Sequence, residues 1–369
     1  MLKKQFKSTI VTLSLGGLIA FLMLSIWLEF LDEDKKFDEL ALGKHTSTLF
    51  GKVDGASIHC GDFSDMHKCI NGYLKNGINK EIVLWLGNSQ LHAINQSKPN
   101  DQTASMLLHK KLTDKSKYLL TFSQANANLK EHHTIFRNLY QELPISTLIL
   151  PIFFDDMRES GVRKTILDMS RYSKIDQGES ESKKNTIDSV QNLEDITSTS
   201  HGIQKKVEGF LEGIISEEWN LWGKRDILRS EIFHILYLLR NKVFDINAST
   251  KRYKIKGRYA INIDEFEKIL NFSYQNKINI IVYIPPIRND VEIPYDIEEY
   301  NDFKKEIQIL SKKYKASFFI LEDIIPGEYW GNKASTSLGE GDKEVDFMHF
   351  QAEGHNILAN KIYHLLTKD

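Results

Sequence analysis

The sequence predicts an α/β protein. Its core would be a five-stranded parallel sheet covered by helices on both faces, behind an N-terminal membrane-spanning helix. Three observations predict this. Five short apolar runs recur along the chain, each ended by turn-forming residues. Amphipathic helical patterns lie between them. A stretch of about 20 uncharged residues stands near the start, long enough at ~1.5 Å per residue to cross a bilayer.

The elements follow in order. Lys3, Lys4 and Lys7 precede the uncharged stretch Thr9–Leu28, and Glu29, Asp32, Glu33 and Asp34 follow it. Lysines before the span and acids after it put the N-terminus in the cytoplasm and the rest of the chain outside. The span is longer than the apolar region of a signal peptide and ends in Ile26-Trp27-Leu28-Glu29-Phe30, without a small-residue cleavage site, so it reads as an uncleaved anchor. Residues 1–34 form this first unit, and residues 35–80 read as a stalk leading into the domain. Within the stalk, Cys60 and Cys69 could pair as a disulfide in an oxidising compartment. The alternative is a metal site from His59, Cys60, His67 and Cys69, whose spacing matches no common zinc pattern.

The remaining unit is 81–369. Its apolar runs are Ile82–Leu86, Tyr118–Phe122, Thr147–Phe154, Ile278–Ile284 and Ala316–Leu321. Continuous apolarity, rather than alternation, marks strands buried on both faces. Helical patterns occupy about 89–111, 128–142, 264–276, 297–314 and 351–366. The alternation breaks at about 159–260. There Gln177–Ser200 is polar and lacks aromatic residues, while Gly202–Asn247 has a helical pattern and reads as a pair of inserted helices. Trp219 and Trp222 in this insertion could enlarge the core, line a groove or rest on a membrane surface.

Composition excludes several classes. Basic and acidic side chains number 48 and 50, for a net charge of −2, which gives no footprint for nucleic acid. Two cysteines cannot build a disulfide-rich scaffold. There is no glycine-rich phosphate loop, and nothing signals a metal or organic cofactor.

Chemistry in a parallel sheet gathers at the carboxyl ends of its strands. Ser89, in Gly87-Asn88-Ser89-Gln90, follows the first run at the start of a helical pattern. It reads either as a helix cap or as a nucleophile whose neighbouring N–H groups face an oxyanion. Asp346-Phe347-Met348-His349 precedes the last helix, and an Asp there can orient the imidazole as a general base. Arg288 follows the fourth strand and could hold a substrate carboxylate or phosphate, or a structural salt bridge. His92 reads as a helix-packing residue that could instead face the site, His355 and His364 as packing or surface residues, and His132 and His133 as solvated.

Together, Ser89 after the first strand and Asp346-x-x-His349 before the last helix resemble the SGNH/GDSL hydrolase superfamily. The anchor, the Gly-Asn-Ser form and the insertion resemble its membrane-anchored DltD-like and alginate-acetylation-like branch. The resemblance covers about residues 80–155 and 275–366. It implies a three-layer flavodoxin-like fold with strand order 2-1-3-4-5. It further implies Ser89 as nucleophile, His349 as base and Asp346 as orienter, in acyl transfer through a serine ester. Two family blocks depart. After strand two, Ser123–Asn128 lacks glycine, leaving Ala127 as a backbone donor and Asn126 or Asn128 as side-chain donors. After strand three, Asp155 and Asp156 stand where an oxyanion asparagine is expected, and could instead hold Arg158. The implied activity is O-acyl transfer or ester hydrolysis on a cell-envelope or exported polysaccharide, beside a membrane-bound acyltransferase partner, at the outer side of the cytoplasmic membrane. The alternative is an inactive accessory protein of such a complex.

Overall fold

The computed structural model describes residues 46–61, 63–113, 115–167, 225–333 and 343–367. The expected anchor (1–34), the polar stretch at 177–200 and both Trp219 and Trp222 lie outside them. Among the described residues no helix is long and apolar enough to cross a membrane.

The chain divides into two compact units, residues 1–41 with 180–240, and residues 42–179 with 241–369. In chain order, the described elements are β1 (Thr46–Thr48), β2 (Lys52–Val53), β3 (Ala56–Ser57), β4 (His59–Cys60), α1 (Phe63–Asn76), β5 (Glu81–Gly87), β6 (Ala93–Asn95), α2 (Ala104–Thr113), β7 (Lys117–Ser123), α3 (Leu129–Glu142) and β8 (Ile145–Pro151). They continue with α4 (Arg225–Val243), α5 (Lys256–Gln275), β9 (Asn279–Ile284), α6 (Ile297–Lys313), β10 (Ser317–Ile320), β11 (Trp330–Lys333), β12 (Glu344–Phe350) and α7 (Ala352–Thr367). The first unit is represented by α4 as far as Arg240, on which Ile232, Ile235, Leu236 and Leu239 are exposed.

The second unit is built on a parallel sheet of order β10-β9-β8-β5-β7-β4. The five expected runs occupy it in the order 2-1-3-4-5. The sheet has six strands rather than five, because β4 adds to the edge of β7 through His59↔Thr121 and Cys60↔Phe122. Residues 46–80 are therefore not a plain stalk: they supply this edge strand, the helix α1 and β1, which pairs antiparallel with β6.

Alternate residues of each strand feed two cores. Ile82, Leu84 and Leu86 pack with Tyr118, Leu120 and Phe122 on the face covered by α1, α3, α5 and α6. Val83, Trp85, Leu119, Ile149 and Tyr283 pack on the other face, with Leu108 of α2 and Leu358 of α7. Trp85 Nε1 donates to Tyr283 Oη at 3.1 Å, so this large buried side chain leaves no orphaned donor. Cys60 and Cys69 are joined in a disulfide that ties β4 to α1, which removes the thiolates a metal site would need.

The expected helix 89–111 is interrupted. Ser89–Leu91 is a single 3-10 turn, β6 follows, and α2 begins only at Ala104. Local periodicity could not reveal this, because β6 is specified by its partner β1, about 47 residues earlier in sequence.

Candidate active site

Ser89 stands just beyond the carboxyl end of β5, at the sheet's centre, where the strand order reverses. Asn88 caps its turn, with Oδ1 accepting from Gln90 N at 3.0 Å. The Asn88 amide donates to both carboxylate oxygens of Asp156, at 3.2 and 3.4 Å. Burial pushes the Asp156 carboxyl well above its usual range, partly offset by that hydrogen bond. Gln90 Nε2 donates to the carbonyls of Pro286 and Met348, each at 2.9 Å, and so ties the turn to the end of β9 and to β12.

Asp346 and His349 lie on β12, not in a plain loop. A regular strand would send residues three apart to opposite faces. Here the pairing of β11 with β12 is irregular: Trp330 pairs with Phe350 and Asn332 with Val345, so only Gly331 stands opposite residues 346–349. The excess residues form a bulge. Asp346 shapes it by accepting the N–H groups of Met348 (2.9 Å) and His349 (3.0 Å) on Oδ1.

That bulge brings the three expected residues together. His349 Nε2 lies 2.9 Å from the Ser89 hydroxyl oxygen. His349 Nδ1 lies 3.0 Å from Asp346 Oδ2. Asn95 donates its amide to the same Oδ2 at 3.0 Å. Burial works to raise the Asp346 carboxyl, but His349 and the bulge N–H groups together bring it down to about 2. Asp346 is thus a carboxylate at any ordinary pH. It favours the Nδ1–H tautomer of His349, leaving Nε2 to accept the Ser89 proton. Ser89 is half-buried, whereas Asp346 is sealed in the interior.

The other expected residues have different surroundings. Asn128 is the N-cap of α3, in a capping box with Glu131, and its amide donates to Gly161 O at 2.9 Å. It is a structural residue, not an oxyanion donor. The Ala127 N–H is spent on Gln124 O at 3.2 Å. Asn126 is an exposed turn residue with φ 53°. Asp155 pairs with Arg252 and Arg158 and accepts from Tyr295 Oη at 3.1 Å, so it holds arginines rather than facing an oxyanion. Arg288 forks onto Asp290 (2.7 and 3.0 Å) and donates to Gly331 O at 2.9 Å, bracing the bulge from behind. It therefore has the salt-bridge role.

His132, expected to be solvated, is buried, with neither ring nitrogen partnered among the described residues. His133 pairs with Glu265 at 2.6 Å. His92 is buried as expected, and its Nδ1 lies 2.7 Å from Ser123 Oγ. His355 is buried between Ala104 N and Ala93 O. Asn95 had carried no signal in the sequence, Ser123 stood there only as the start of the second family block, and His59 only as a candidate metal ligand. Among the described residues no group of three or more His, Cys, Asp or Glu is arranged to hold a metal ion.

No protein-family model matches this chain, and no curated protein matches it. Solved structures similar to it include LAE5, an α/β hydrolase from the metagenome of Lake Arreo in Spain (7% identity, 78% of this chain, 97% of that one, TM-score 0.39). Another is an inferred GDSL-like lipase of Parabacteroides merdae (10%, 78% and 96%, TM-score 0.38). A third is a mutant of Axe2, an acetyl-xylooligosaccharide esterase from Geobacillus (8%, 79% and 97%, TM-score 0.35). With TM-scores below 0.5, these likenesses carry no weight for function.

Proposed function

We propose that this chain is a serine-dependent acyl-ester enzyme of the SGNH/GDSL type. One observation carries the reading: a single imidazole, His349, bridges the Ser89 hydroxyl at 2.9 Å and a buried carboxylate at 3.0 Å. In the reaction, Ser89 Oγ attacks the ester carbonyl while His349 Nε2 takes its proton. The tetrahedral intermediate collapses with return of that proton to the leaving alcohol, giving an acyl-serine. Water or a second hydroxyl then accepts the acyl group. Asp346 holds the imidazole and offsets its positive charge.

The finer reading is acyl transfer on a cell-envelope or exported polysaccharide, outside the cytoplasmic membrane and beside a membrane-bound acyltransferase. The uncharged stretch Thr9–Leu28 with lysines on its leading side supports the location, and the resemblance in the Gly-Asn-Ser and Asp-x-x-His segments supports the chemistry. An inactive accessory role is disfavoured by an intact hydrogen-bonded chain from Ser89 to Asp346.

The test is covalent labelling of the full chain with a fluorophosphonate, together with release of nitrophenolate from p-nitrophenyl acetate. Ser89→Ala should abolish labelling and lower turnover by about 10⁴-fold or more. Wild type that neither labels nor turns over above the Ser89→Ala background would sink the reading. Acyl transfer would appear as acylated oligosaccharide when an oligosaccharide acceptor is added; hydrolysis would yield only free acid.

A further inference from the structure

Asn128 and Asp155 are engaged elsewhere and Asn126 is exposed in its turn, which leaves the reaction short of a buried side-chain donor for the charge that develops on the carbonyl oxygen. His92 is placed to be that donor. In a 3-10 turn, side chains three residues apart lie on the same face. His92 ends the turn that Ser89 begins, its own N–H donating to Ser89 O at 3.1 Å. Its side chain therefore stands on the Ser89 side of the turn.

Ser123 Oγ lies 2.7 Å from His92 Nδ1 and 2.5 Å from His59 Nε2, and all three residues are buried. A single hydroxyl between two ring nitrogens donates to one and accepts from the other. His59 Nδ1 is sealed from water and has no partner among the described residues. A proton there would be a buried orphan donor, costlier than a bare acceptor. His59 thus carries its proton on Nε2 and donates to Ser123, and Ser123 donates to His92 Nδ1. The His92 proton is then on Nε2. That atom has no partner among the described residues, whereas Nδ1 is held by Ser123. Phe50 packs on both rings, with centroids 5.3 Å from His59 and 5.0 Å from His92, and limits their rotation. Burial, with His59, His349 and His355 nearby, keeps the His92 ring neutral.

We propose that His92 is a further catalytic residue of the serine-ester reaction, its Nε2–H donating to the substrate carbonyl oxygen as it becomes the oxyanion. Ser123 and His59 are positioning residues that fix its tautomer. As the Ser89 Oγ–carbon bond forms, the carbonyl π pair moves to that oxygen, and the Ser89 proton passes to His349. The His92 proton is shared and does not transfer. This inference rests on the proposed serine-ester activity.

The experiment uses the full chain with p-nitrophenyl acetate, fluorophosphonate labelling in parallel, and thermal melting to verify folding. His92→Phe keeps a flat ring and removes the donor. It should lower kcat by ~10²-fold with KM changed less than about twofold. His92→Gln, which retains an N–H at similar reach, should recover part of that loss. Ser123→Ala acts through the same donor, so Ser123→Ala/His92→Phe should be no slower than His92→Phe alone. Wild-type kcat in His92→Phe, or fully additive losses in the double variant, would overturn the proposal. Should His92→Phe fail to fold, long-range ¹H–¹⁵N spectra of the wild-type histidines decide: a His92 Nε2–H tautomer supports the proposal, and Nδ1–H overturns it. An unlabelled, inactive wild type would instead defeat the serine-ester reading, while the tautomer could still be read.

Discussion

Asp346 is the residue on which the site turns. It accepts from the His349 ring, from two N–H groups of its own bulge and from Asn95. Its folded pKa of about 2 lies below the ordinary value of 3.8, so its contribution to stability is fully present above about pH 4 and is lost as pH falls through about 2. Asp346→Asn should keep the fold but reverse the preferred tautomer of His349, with turnover of p-nitrophenyl acetate falling by about 10⁴-fold. Near-normal turnover in that variant would show that the carboxylate does not orient the base. At this scale the sequence displayed Ser89, Asp346 and His349, because a short motif fixes residue type and local spacing. It could not display Asn95, which meets Asp346 across 251 positions. His132 is a different kind of miss. It shares a helical stripe with Leu129, Ile135, Phe136 and Leu139, all buried, so the 3.6-residue period already put it inside.

Among the elements, the β11–β12 pair determines whether the site assembles. Gly331 sits against Asn95 so closely that a Cβ added there would fall 2.0 Å from Asn95 Oδ1. Gly331→Ala should displace the Asn95 amide from Asp346 and loosen the bulge. We expect a loss of kcat larger than the loss of thermal stability would explain; unchanged kcat would show that the Asn95 contact is dispensable. The Cys60–Cys69 disulfide acts at the β4 edge of the main sheet, holding β4 where His59 reaches Ser123. Reduction, or Cys69→Ser with Cys60→Ser, should cost about 2–3 kcal/mol for a loop of this length, measured by denaturant unfolding. Both elements were obscure in the sequence for one reason: β4, β6 and β11 are two to four residues long, too short for a period, and exist only because a distant strand pairs with them.

For the whole molecule, stability is coupled to pH through histidines kept neutral by burial. His59 and His355 are lowered to about 3 and His132 to about 4 from the ordinary 6.5. Between those values the unfolded chain binds more protons than the folded one. The resulting stability is fully present above about pH 6.5 and drains away as pH falls toward 4. Melting temperature should therefore drop steadily from pH 7 to 4.5. His132→Phe, which removes two unpartnered buried nitrogens, should flatten part of that slope and cost little at pH 7. A melting temperature independent of pH over this range would contradict the burial of these rings.

The sequence by itself determined the five central strands, the helices α3, α5, α6 and α7, and the identity of the Ser, His and Asp that meet at the site. Continuous apolar runs and amphipathic periods are local consequences of burial, and the Gly-Asn-Ser and Asp-x-x-His segments are local strings. Only the tertiary structure decided the sixth strand, the broken helix after Ser89, the bulge that turns Asp346 toward His349, and the employment of Asn128, Asp155 and Arg288 in structural bonds. Each of these depends on which buried donor finds which acceptor after the sheet has closed. That pairing joins residues up to 262 positions apart, and no local pattern records it.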